Sequence, residues 1–108
     1  MNPKIKQIWI ESELVRPIMG GVAIIDDNSD ILVTFTDGTV YSATFFTYEN
    51  INTLRQKNKS TGELLNGTYL FASNMVIVER IDRETVERII DHMLDTDSFY
   101  YMFAKHQN

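Results

Sequence analysis

Apolar and polar positions alternate with a period of two over residues 31–46. Between residues 82 and 94 the apolar positions recur every three to four. The first pattern predicts a strand hairpin and the second an amphipathic helix. Ile31-Leu32-Val33-Thr34-Phe35-Thr36 is rich in strand formers, Asp37-Gly38 suits the two positive-φ positions of a type I′ turn, and Thr39 to Phe46 returns. That turn sets Thr36 opposite Thr39, Phe35 opposite Val40, Val33 opposite Ser42 and Ile31 opposite Thr44. Ile31, Val33, Phe35, Val40 and Phe46 then share one face. Leu32, Thr34, Thr36, Thr39, Tyr41, Ala43 and Phe45 share the other. The first face is the more aliphatic and is assigned to the helices. The second leaves Tyr41, Phe45 and Leu32, with Ile24, as an apolar patch for a partner.

The remaining elements follow from local signals. Ile5 to Glu11 reads as a short strand, although Ile5, Ile8 and Trp9 also have helical spacing. Pro17 and Gly20-Gly21 make residues 15–21 a loop. Val22 to Asp26 is apolar and β-branched, and Asp27-Asn28-Ser29 is a polar turn. Thr47 caps a helix that begins near Tyr48, carries Tyr48, Ile51 and Leu54, and ends at Ser60-Thr61-Gly62. Asn66-Gly67 predicts a second hairpin between Glu63–Leu65 and Thr68–Ala72. Met75-Val76-Ile77-Val78-Glu79 suits a central strand covered on both faces. Asp82 caps the strongest helix, in which Val86, Ile89, Ile90, Met93 and Leu94 form one wide stripe. Asp97 caps a last turn that groups Phe99, Met102 and Phe103, and the tail from Lys105 frays. Phe35, Phe46, Phe71 and Phe99 are assigned to the core. Together these predict a single α+β domain over residues 1–108: an antiparallel sheet built from hairpins, with two or three helices packed on one face.

The chain has 108 residues, a net charge of −5 and no Cys, which removes disulfides and Cys-based zinc sites and suits a reducing, cytoplasmic setting. No window of about 18 residues is free of charge, so a membrane span is not expected. Residues 50–62 carry Arg55, Lys57 and Lys59 and no acid, whereas residues 79–97 carry seven acids against three arginines. Three basic residues on one segment are a thin footprint for nucleic acid, and the acidic balance favours a basic protein partner. No phosphate-cradling Gly motif is present. His106 is the third residue from the end, and His92 sits on the strong helix near Asp91 and Asp95; an exposed helix-surface His explains His92 without chemistry. Asp26, Asp27 and Asp30 lack the frame of a calcium loop, and turn chemistry accounts for them. Glu87 and Asp91 read as solvated acids. No metal or other cofactor is expected.

Thr44-Phe45-Phe46-Thr47-Tyr48-Glu49-Asn50-Ile51 and Ala72-Ser73-Asn74-Met75-Val76-Ile77-Val78 resemble stretches of small bacterial proteins, some of which are immunity proteins that neutralise a toxin by contact. The resemblance runs from Asp30 to Glu87 and implies a binding role without assigning residues to it. The leading expectation is a non-catalytic protein-binding module whose partner is another protein or a second copy. The alternative is a small ligand-binding domain or enzyme using His92 with nearby acids.

Overall fold

The computed structural model describes residues 4–14 and 25–106. The predicted loop at Pro17, most of the predicted strand from Val22, and Ile24 of the predicted patch lie outside the described residues. The elements run β1 (Ile5–Ile10), a 3-10 turn (Glu11–Leu14), β2 (Asn28–Phe35), β3 (Val40–Thr47), α1 (Tyr48–Thr61), α2 (Glu63–Gly67), β4 (Met75–Val78), α3 (Arg83–Asp95), α4 (Phe99–Met102) and β5 (Ala104–Lys105). The fold is α+β, as expected. The sheet order is β1-β2-β3-β4, with β5 also on β3. Three of its pairings are antiparallel, whereas β4 runs parallel to β3. That parallel pair requires a crossover, which α1 and α2 provide.

The hairpin between β2 and β3 differs from expectation by one residue. Of Asp37 and Gly38 only Gly38 has positive φ, at 89°. Gly38 N–H donates to the Phe35 carbonyl, and Phe35 N–H donates to the Thr39 carbonyl, both at 2.9 Å. Asp37 accepts from Thr39 N–H and hydroxyl, which holds its carboxyl below the usual range. The connection is therefore a three-residue loop, a type I turn closed by a left-handed glycine, rather than a type I′ pair. Its register places Thr34 opposite Val40, Val33 opposite Tyr41 and Ile31 opposite Ala43. A slip of one residue turns β3 over. Tyr41, Ala43 and Phe45 join Ile31, Val33 and Phe35 on the helix-covered face, and Val40 and Phe46 move to the other. Phe46 is buried there, outside the main core cluster.

The core is one cluster. Ile10, Ile31, Val33, Phe45, Val76 and Val78 supply the sheet side, and Val86, Ile90, Met93, Leu94, Phe99 and Phe103 the helical side. A bulge between Ile5 and Gln7 puts Ile5 on the same side as Ile8 and Ile10, which explains their mixed strand and helix spacing. Arg83 ties the start of α3 to β1 and the 3-10 turn. Its guanidinium donates to Glu13 at 3.0 and 2.8 Å and to the Ile8 carbonyl at 2.9 Å.

Other expectations are corrected by packing. Residues 63–67 form no hairpin, because Leu64, Leu65, Asn66 and Gly67 all have positive φ and wind a left-handed turn. Asn28 and Ser29 belong to β2 rather than to a turn. Beyond β4 no further strand pairs among the described residues, so β4 is an edge strand with Ile77 45% exposed, not a covered central one. Phe71 is 75% exposed. Ser98, not Asp97, precedes α4. His106 is held: its N–H donates to the Val40 carbonyl at 2.8 Å, and its Nε2 lies 2.8 Å from the Ser42 hydroxyl.

The predicted caps at Thr47 and Asp82 form. Thr47 accepts from Asn50 N–H at 3.0 Å, and Asp82 accepts from Thr85 N–H at 2.8 Å. Burial alone would raise the Asp82 carboxyl, but bonds from Thr85 and Arg80 outweigh it and hold it below the usual carboxylate range. Asp82→Ala is therefore expected to cost about 1 kcal/mol at neutral pH. A depressed carboxyl stabilises the fold above its unfolded pKa, and that stability is lost as pH falls through the folded value. Melting curves of both proteins down the acid range should converge as Asp82 protonates; a gap that stays constant would show that its charge contributes nothing.

Candidate functional site

An open cleft of about 1840 Å³ lies between α3 and the outer edge of β4. The phase of the strand pairing sets its floor. Thr44 N–H donates to the Asn74 carbonyl at 3.0 Å, and Thr44 is registered with Met75. In a parallel pair, alternate residues turn both backbone groups to one neighbour. Asn74, Val76 and Val78 therefore face β3, while Met75 and Ile77 present their N–H and carbonyl groups to the open side. The side chains alternate the other way: Val76 and Val78 enter the core, and Ile77 stays exposed.

The walls are charged. Five acids line the cleft, Glu79, Asp82, Glu84, Asp91 and Asp95, against Arg80 and Arg88. Arg80 is already paired with Asp82 at 2.6 Å. These acids are part of the run seen in the sequence, gathered by the α3 turns onto the side that overhangs β4. Met102 and Tyr48, both exposed, add apolar surface at the rim.

Of the four residues assigned to partner contact, the three that are described, Tyr41, Phe45 and Leu32, do not come together as a patch. Phe45 is fully buried and stands 6.0 Å from the Phe103 ring. Tyr41 is half-buried, edge-on to Phe35, Phe99 and Tyr100 at 5.7, 5.5 and 5.3 Å. Both are core and core-margin residues, a correction that follows directly from the register. Leu32 is half-buried on the opposite face, and Ile24 lies outside the described residues. His92 is exposed and lines the cleft, with Asp91 and Asp95 also on its wall, but its ring forms no hydrogen bond with any described residue. Among the described residues no group of three His, Cys, Asp or Glu is placed to hold a metal ion. Asp26 and Asp30 are engaged structurally: Asp26 accepts from Asn50 Nδ2 at 3.0 Å and Thr53 Oγ1 at 2.9 Å, and Asp30 accepts from Thr44 Oγ1 at 3.0 Å. No described helix is long and apolar enough to cross a membrane.

No family model matches the chain, and no curated protein or solved structure matches it significantly.

Proposed function

We propose that this chain is a non-catalytic protein-binding module that takes an extended, basic segment of its partner against the edge of β4. The observation that carries this reading is the outward-facing backbone of Met75 and Ile77 at the floor of a cleft lined by five acids and two arginines. Unpaired strand edges recruit added strands, and backbone bonds supply affinity whatever the partner's sequence. The acidic walls select a cationic segment and favour it most at low ionic strength. The resemblance to immunity-type proteins supports a toxin as that partner, and the lack of Cys supports a cytoplasmic meeting place. A ligand site built on His92 has less support, because nothing among the described residues orients its ring.

The test places a photo-crosslinking residue at position 77 and then measures affinity for the purified partner. Ile77→Pro removes an outward N–H without taking a bond from β3, so the fold should survive while binding weakens about tenfold or more. Added salt should weaken it further. Crosslinks only to a second copy would convert the reading to a homodimer, and unchanged affinity of Ile77→Pro would refute strand addition.

A further inference from the structure

A second, smaller pocket of about 500 Å³ lies between α1 and the left-handed turn, and it shares no lining residue with the cleft. Ile51, Arg55, Asn58 and Lys59 recur at helical spacing and form its α1 wall. The turn closes tightly on that wall. At Gly67, with φ 76°, an added Cβ would stand 2.7 Å from the Arg55 carbonyl oxygen, so only glycine permits this approach.

Asn58 is the anomaly. It is 5% exposed, yet its side-chain amide makes no hydrogen bond with any described residue. Buried amides are nearly always partnered, and one without a partner calls for a ligand or water to satisfy it. Asn50, the other buried polar residue of α1, shows the usual case: its amide donates to Asp26 and accepts from Asn28. Beside Asn58 stand Arg55 and Lys59, exposed and in no ion pair with a described residue. Residues 50–62 contain no acid, and the flanking Glu49 and Glu63 neither line the pocket nor pair with Arg55 or Lys59. The C-terminal end of α1 contributes a partial negative charge of about half a unit, which two full positive charges exceed. The volume is that of a small-molecule site, roughly 300–1000 Å³, and Ile51, Tyr69 and Leu70 add apolar wall.

From these observations we infer that this pocket binds a small molecule through an oxyanion, a phosphate or a carboxylate, held by Arg55 and Lys59 with the Asn58 amide as donor. Guanidinium and ammonium groups both bind such anions strongly, and a buried amide beside them fixes orientation.

The test titrates the isotope-labelled full chain with inorganic phosphate, and separately with acetate, at constant ionic strength against chloride. The readout is the Asn58 side-chain amide signal. A saturable shift with phosphate, or with acetate, is expected and tells which oxyanion the site prefers. Arg55→Gln and Lys59→Gln change exposed residues, so the fold should be kept, and each should weaken the response about tenfold. A shift no larger than chloride produces, a response that never saturates, or one that survives both substitutions would overturn the inference. None of these readouts involves β4, so this site and the cleft stand or fall separately.

Discussion

Ile90→Asp is expected to leave little folded protein at neutral pH. Ile90 is fully buried at the centre of the α3 stripe, between Val86 and Leu94, in the cluster that includes Ile31, Val33 and Phe45. The arginines of α3, Arg83 and Arg88, are exposed, so a carboxylate at position 90 gains no counter-charge inside the core. An unpaired buried charge costs several kcal/mol, on the scale of the about 5–15 kcal/mol that holds a domain together. Burial also raises the pKa of such a carboxyl. The folded state then binds the proton more tightly than the unfolded one, and stability should recover partly as pH falls through that raised value. Urea titrations at neutral and mildly acid pH read both effects. A variant with the parent's midpoint would mean that α3 does not cover the sheet.

Phe45→Ala is the second large effect, about 3–5 kcal/mol, because a fully buried ring leaves both lost transfer energy and a cavity. Phe71→Ala is its control. With 75% of Phe71 exposed, the change should stay within about 0.5 kcal/mol. The pair measures the β2–β3 register directly. In the alternative register Phe45 would leave the face that α3 covers, and its loss would cost much less. Chemical denaturation of the two variants separates the cases.

The features legible in the sequence are those decided locally. The caps at Thr47 and Asp82 and the stripe from Val86 to Leu94 depend on residues a few positions apart, and all form. The strand period of β2 was also plain, and Ile31, Val33 and Phe35 are buried as expected, whereas the burial of Ser29 was not foreseen. What was hidden depended on one extra loop residue or on distant partners. Asp37-Gly38 fits either a two-residue or a three-residue turn, and only the latter forms here. Asn66-Gly67 favours positive φ, and that preference serves a left-handed turn as well as a hairpin. The apolar run at Met75–Val78 cannot say whether a neighbour exists on both sides, so the edge, and with it the cleft, was invisible. The acid-rich stretch after Glu79 was the one signal of the cleft wall. Burial of Asn58 left no trace in a polar segment, apart from the absence of acids around Arg55 and Lys59.

Hairpin loops usually accept insertions and deletions freely, since their tips are solvated and carry few contacts. The loop at Thr36-Asp37-Gly38 departs from that rule. Because it sets which side of β3 meets the helices, loss or gain of a single residue there would send Tyr41, Ala43 and Phe45 outward and bring Val40, Ser42 and Thr44 in. The lengths open to this turn during divergence are thus limited to those that preserve its parity. Substitution can proceed at its exposed tip while length variation is purged, so a solvent-facing loop comes under the kind of constraint normally reserved for a buried core.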